Sequence, residues 1–246
     1  MCTLTYRLTD QGYQLFFNRD EQITRPQAIK PTKNIELKAI YPIDPTGGGT
    51  WIAVHESGTS LALLNYYQAQ VDPRLKKFTS RGVIIPNLLA NVEDIHQQIL
   101  AMDLSVFQAF QLCVFDAQLS ATSGNHELSM QYIWDGVELT YSTLSVQTSL
   151  PITSSGVDFP MVYAYRKQQF SQMIEHHNAE QSNYIAYHQH QGASGKCSVK
   201  MQREDAKTVS FTQISIDQKE GLGNKVTIEY VDYLASSPDI TSVMRL

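Results

Sequence analysis

Cysteine is the second residue of the chain, directly behind the initiator methionine. Removal of Met1, expected where the following side chain is small, leaves a thiol and a free α-amine on one residue. The α-amino group ionises near pH ~7.7 to 8.0 and a free thiol near ~8.5. Such a residue supplies a nucleophile together with the general base that activates it. The other two cysteines offer no such chemistry. Cys113 lies in the apolar run 107–115 and reads as a small buried hydrophobe in a strand, and Cys197 reads as a half-buried thiol on the approach to another strand. An odd count with no C-x-x-C pair argues against a disulfide framework.

Asn18-Arg19-Asp20-Glu21 sets a cation beside two carboxylates. Taken alone, the run reads as a turn held by Asx hydrogen bonds and a surface ion pair. Gly47-Gly48-Gly49 is followed by no Lys-Ser/Thr, so it is not a phosphate loop; it lets backbone approach closely beside Trp51. His176, His177, His188 and His190 repeat no spacing of a closed metal site and read as solvated helix ends, while His126-Glu127 lacks the second histidine of a zincin. Neither a metal nor a nucleotide nor any other cofactor is expected.

These residues must be held by ordinary globular elements. Apolar residues make up 42% and charged residues 17% of 246, which excludes a disordered tail, a collagen-like repeat and a coiled coil. Lys plus Arg number 19 against 24 Asp plus Glu, a net charge of -5 without a basic block, so nucleic acid is not an expected partner. No apolar run approaches the ~18 residues of a membrane span, and the first residues lack the order of a secretory signal, which points to the cytoplasm. No shift in composition marks a seam, so one domain over residues 1–246 is expected.

Residues 2–18 alternate as a β-hairpin turned at Asp10-Gln11-Gly12, and residues 50–65 form a second one around His55 to Thr59. The period changes over 83–100, where Ile84, Ile85, Leu88, Leu89, Val92, Ile95 and Ile99 mark a buried helical face and Asn91 offers a cap for a second helix. Strands are expected at 107–115, 128–134 and 137–142, the last two hinged at Asp135-Gly136. Helices follow over 159–178, with Phe159, Val162, Phe170, Met173 and Ile174 inward, and over 183–190. Strands return at 198–202, 208–217 and 225–230, the last two joined by a turn at 221–224. Strands, then helices, then strands again describe an α+β layered fold with antiparallel sheets.

Met1-Cys2-Thr3-Leu4, Asn18-Arg19-Asp20-Glu21 with Arg25-Pro26 beyond it, Gly48-Gly49-Thr50-Trp51-Ile52 and Leu64-Asn65-Tyr66 stand in an order and spacing that resembles the NRDE family, also called the transport and Golgi organisation protein 2 family. Ser80-Arg81-Gly82 and the run 201–210 extend the resemblance over nearly the whole chain. It implies membership of the N-terminal nucleophile hydrolases: a four-layer αββα sandwich in which two packed antiparallel sheets are flanked by helices.

Within that superfamily the chemical comparison is with choloylglycine hydrolases and related amidases. Carried over, Cys2 is the nucleophile, Arg19 the cation near the thiolate, Asp20 the group that orients the α-amine and Asn65 the oxyanion donor, a role that contributes ~2.7 to 4 kcal/mol to a transition state. Trp51, Tyr66, Ser154 and Arg203 stand as candidates for substrate binding, with Arg203 read first as a buried ion-pair partner. Two positions depart from the amidases. Their acidic residue lies three after the arginine, where this chain has Gln22, and Thr153-Ser154-Ser155-Gly156 replaces an asparagine that holds the amine. Because neighbours in a regular strand face opposite sides, Arg19 and Asp20 reach one thiol only if the strand ends or bulges between them. The resemblance implies a hydrolase acting through Cys2 on an amide, ester or thioester of a small or lipid-like molecule. It also admits a non-catalytic carrier holding an apolar ligand, such as haem or an acyl conjugate, on the same fold.

Overall fold

A computed structural model describes residues 2–69, 77–123, 128–175, 179–192, 195–219, 223–235 and 239–244. Thirteen strands are found among them: β1 (Cys2–Thr9), β2 (Gly12–Gln22), β3 (Ile29–Asn34), β4 (Ala39–Ile43), β5 (Ile52–His55), β6 (Ser60–Asn65), β7 (Phe110–Phe115), β8 (Ser129–Trp134), β9 (Leu139–Thr143), β10 (Ile152–Ser154), β11 (Ala206–Lys219), β12 (Gly223–Asp232) and β13 (Asp239–Met244). The α-helices are α1 (Ile84–Leu89), α2 (Ile95–Ala101), α3 (Phe159–Phe170) and α4 (Gln181–Gln189).

One sheet runs β10-β1-β2-β11-β12-β13 and the other is a meander from β3 to β9, and every pairing in both is antiparallel. Alternation in the first hairpin decides what lies on each side. Leu4, Tyr6, Tyr13, Leu15 and Phe17 turn one way, and the Tyr6 ring meets Phe115 of the second sheet at a centroid distance of 5.1 Å. The Tyr13 hydroxyl donates to the Gly58 carbonyl at 2.6 Å, a polar tie between the sheets inside an apolar layer. Thr3, Thr5, Phe16 and Asn18 turn the other way, where Phe16 stacks on Tyr184 of α4 at 5.0 Å. On the far side of the second sheet, Leu61 and Leu63 pack with Ile84, Ile85, Leu88, Ile95 and Ile99 of α1 and α2. The result is two packed antiparallel sheets between helical layers.

The expected hairpins, the two helices from 84 to 101 and the buried Cys113 are present. Others differ. The second strand continues to Gln22, so the Asn18–Glu21 run lies inside a strand, and Asn18, Arg19 and Asp20 are buried rather than in a surface turn. The expected strand at 198–202 is a series of turns and bends with a single bridge from Gln202 to Lys207, because the chain folds back over the buried Arg166 there. Cys197 is buried within it, not half-exposed. The Asn91 side chain caps nothing, and α2 starts after a short 3₁₀ turn at Val92–Asp94. His188 is fully buried between sheet and helix instead of solvated, with Nε2 2.8 Å from the Thr5 hydroxyl. His190 is half-buried beside the Tyr165 hydroxyl at 3.0 Å. The readings of His126, Glu127, His176 and His177 fall outside the described residues, as does part of the 221–224 turn.

Candidate active site

The register of the first hairpin assembles the site. Cys2 lies at the start of β1, opposite Arg19 on β2 and Ser154 on β10, so all three project to the same side, toward the second sheet. The Arg19 guanidinium sits over the Trp51 ring, 4.2 Å from its centroid, which orients the cation while keeping it desolvated. Its Nη2 donates to Glu21 at 3.0 Å, and Asp44 stands 4.0 Å away. Arg25 bonds Asp44 as well and lies 3.7 Å from Glu21. Two arginines and two carboxylates thus form a closed network at the wall of a cavity of about 620 Å³ that Cys2, Arg19, Trp51 and Asn65 also line.

The glycine run builds the opposite wall. A Cβ on Gly49 would meet the Gly82 carbonyl oxygen at 2.3 Å, so only glycine allows the two loops to touch, and the Thr50 amide donates to that same oxygen at 2.9 Å. This contact carries Arg81 to the cavity, where Nη1 donates to the Ala109 carbonyl at 2.9 Å. Burial lowers the pKa of Arg81, with Tyr67, Cys2 and Glu21 opposing the shift. Among the described residues no carboxylate pairs with Arg81, and the cavity is lined by Arg19, Arg25 and Arg81 together with Asp20, Glu21 and Asp44. Two buried donors of the wall make no hydrogen bond among the described residues, Trp51 Nε1 and Arg25 Nε, the latter within ion-pair range of Glu21 at 3.7 Å.

Burial pushes the Cys2 thiol up from its ordinary value; the Asp20 charge adds to the rise, and the Asp20 backbone N–H at the sulfur and the Arg19 charge oppose it. Asp20 itself points to the other side of the sheet. Its Oδ1 accepts from the Thr208 hydroxyl at 2.6 Å and its Oδ2 from Arg166 Nη2 at 3.3 Å, both inside the protein. The irregularity in this region is in β11, between Thr208 and Ser210, and β2 stays regular through Arg19 and Asp20. The alternation argument therefore holds for the thiol. An α-amine is a backbone group lying between the two faces, and extending the Cys2–Arg19 register by one step sets Asp20 beside the amino side of Cys2.

Asn65 ends β6 at the cavity, and its Nδ2 donates to the Tyr67 hydroxyl at 2.7 Å, leaving the second amide hydrogen for another acceptor. Three candidates are not brought to the cavity wall. Tyr66 lies outside it, its backbone amide bonded to the Ala109 carbonyl at 3.2 Å, and Tyr67 takes its place. Ser154 flanks Cys2 across the ladder but does not line the cavity. Arg203 binds Asp205 in its own turn, with Nε to Oδ1 at 2.8 Å. The residues that reading from sequence missed are Glu21, Asp44, Arg81, Tyr67 and Arg166. Glu21 and Arg81 stand inside the motifs quoted above, and Arg166 carried one signal, its position four before Phe170 on the inward face of α3.

The model of the family described as transport and Golgi organisation 2 matches residues 1–230. The chain belongs to that family. Among solved structures it is similar to a Caenorhabditis elegans ortholog of N-acylethanolamine-hydrolyzing acid amidase, with a TM-score of 0.58 at 12% identity over 87% of this chain and 92% of that one. The likeness establishes a shared N-terminal nucleophile hydrolase-like fold. No curated protein matches the chain in sequence.

Proposed function

We propose that this member of the transport and Golgi organisation 2 family is a hydrolase whose nucleophile is Cys2, acting on an amide, ester or thioester by acyl transfer. One observation carries the reading: Cys2 and Arg19 are register partners at a cavity wall. Once Met1 is removed, the α-amine of Cys2 accepts the thiol proton. Arg19 stabilises the thiolate, and Asp20 stabilises the ammonium. Sγ then attacks the acyl carbonyl carbon, and the oxyanion that develops is met by the amide of Asn65. The bond to the leaving group breaks as that group takes the proton from the ammonium, leaving a thioester on Cys2. Water attacks the thioester with the amine as base, and the acid departs as the thiol is restored.

The carrier reading draws less support. A wall of Arg19, Glu21, Arg25, Asp44 and Arg81 suits the polar end of a ligand better than an apolar body such as haem, which would desolvate those charges further. The similarity to the acid amidase suggests N-acylethanolamines as the first substrates to offer. Turnover of such an acyl amide by the processed protein, lost in Cys2→Ala while the variant stays folded, supports the proposal. Equal turnover in Cys2→Ala overturns it.

A further inference from the structure

Arg166 is the largest fully buried side chain among the described residues, and the proposed chemistry does not use it directly. A buried guanidinium is retained only where its N–H groups and its charge are met. Here Nη1 donates to Thr3 Oγ1 at 2.6 Å, Nη2 to the Ser198 carbonyl at 2.9 Å and to Asp20 Oδ2 at 3.3 Å, and Nε to the Cys197 carbonyl at 3.4 Å. One planar group on α3 therefore grips β1 one residue after Cys2, β2 at Asp20, and the loop that covers them. The other oxygen of Asp20 is held by Thr208 from β11. The carboxylate is fixed from two elements, at the height of the sheet where the amine of Cys2 lies.

We infer that Arg166 is a positioning residue for the N-terminal amine, acting through Asp20. The inference rests on the proposal that Cys2 becomes the first residue. The fork shape of the guanidinium matters more than its charge. As a cation, Arg166 disfavours an ammonium nearby; as a two-pronged donor, it holds the carboxylate that favours one. The charged and titratable groups around this end of β1 are Asp20 and Arg19 on β2, Arg166 on α3, Arg81 and the Cys2 thiol itself. His188 of α4 lies farther along, against Thr5 and under the Arg166 charge. Lysine at position 166 keeps the charge, yet its single ammonium cannot span Thr3, Asp20 and Ser198 at once.

The test uses full-length protein released from a fusion so that it begins at Cys2 whatever the cell does with Met1. Its three cysteines make selective ¹³C labelling of cysteine practical, and the Cα signal of Cys2 reports the titration of its amine. Asp20→Asn should lower the apparent amine pKa by about one pH unit or more, the effect of losing an opposite charge at close range. Arg166→Lys should lower it in the same direction in the natural background and change nothing further in Asp20→Asn, because two residues acting through one contact are not additive. Should Arg166→Lys fail to fold, Thr208→Val removes the other clamp on Asp20 with little change of shape, and it must move the titration in the same direction. An unmoved titration in the variant that folds, or an equal shift from Arg166→Lys with and without Asp20, overturns the inference. A chain that shows the expected coupling but hydrolyses no acyl donor keeps the role of Arg166 and removes the hydrolase reading.

Discussion

Cys2 and Arg19 face one another across the first two strands, one at the start of β1 and the other near the end of β2, and both turn toward the cavity between the sheets. The hairpin turn is seven residues away along either strand, so the regular ladder between them, not a local loop, fixes their spacing.

The pair predicts how the thiol titrates. Removing the positive charge in Arg19→Ala should raise the apparent pKa for alkylation of Cys2. Glu21→Gln should lower it, because Glu21 at 3.0 Å offsets the arginine charge. A pH series of alkylation rates on both variants checks the two signs together.

Selectivity among the three thiols follows from burial. Burial holds the Cys113 thiol far above its ordinary value, and Cys197 is also enclosed, whereas Cys2 is only partly buried and opens to the cavity. An electrophilic thiol reagent should modify Cys2 first under native conditions, as read by peptide mass mapping. Modification of Cys113 or Cys197 ahead of Cys2 would count against the cavity being open to ligands.

Asn65→Ala tests the oxyanion donor. The loss should fall on kcat, about 10²- to 10³-fold, with KM little changed, since the donor matters most where negative charge develops. A raised KM at unchanged kcat would make Asn65 a ground-state binding residue.

Acid stability should report His188. Burial, reinforced by the Arg166 charge, lowers its pKa to about 3 from the ordinary 6.5. The folded protein therefore holds it neutral while the unfolded chain protonates it, so the contribution is present above pH 6.5 and is lost as pH falls toward 3. At pH 5.5 the loss amounts to about 1.4 kcal/mol, and His188→Gln should lack that part of the pH dependence in urea unfolding between pH 7.5 and pH 5.5 (roughly the span above the carboxylate range).

Breaking the buried pair should be costly as well. Asp20→Ala leaves Arg166 with an unmet charge in the interior and should destabilise the fold by about 3 to 5 kcal/mol. Denaturant unfolding measures it, and a loss below about 1 kcal/mol would place Asp20 in solvent.

Period and turn chemistry made much of this architecture legible. The hairpin at Asp10-Gln11-Gly12, the helical face from Ile84 to Ile99 and the turn at Asp135-Gly136 are local signals, and each element stands where its pattern puts it. The short strands β3, β4, β10 and β13 are not legible: β3 and β4 form a local hairpin whose residues alternate weakly, and β10 is set by its pairing with the distant β1. The same limit applied to the site. Cys2, Arg19 and Asn65 could be singled out as members of motifs, and Trp51 from its place beside a glycine run. Asp44, Arg81 and Tyr67 reach the cavity only through loop contacts such as Gly49 on Gly82. Arg166 was hidden for a different reason: a lone arginine on a helix reads as a solvated residue unless its partners, Thr3, Asp20 and Ser198, are already known to meet behind it. Asn18-Arg19-Asp20-Glu21 marks the opposite limit: taken alone, four polar residues in a row read as a surface turn, and only the surrounding motifs set them apart, whereas they continue a strand in which Asn18, Arg19 and Asp20 are buried.

The measurement that bears most directly on the central claim is the mass of the N-terminal peptide after the purified protein has been mixed with an excess of acyl donor and quenched in acid. The account predicts a peptide that begins at Cys2, without Met1, and carries one acyl group on the Cys2 sulfur that hydroxylamine removes. A peptide that still begins with Met1, or an acyl group found on any other residue while Cys2 stays unmodified, would contradict it.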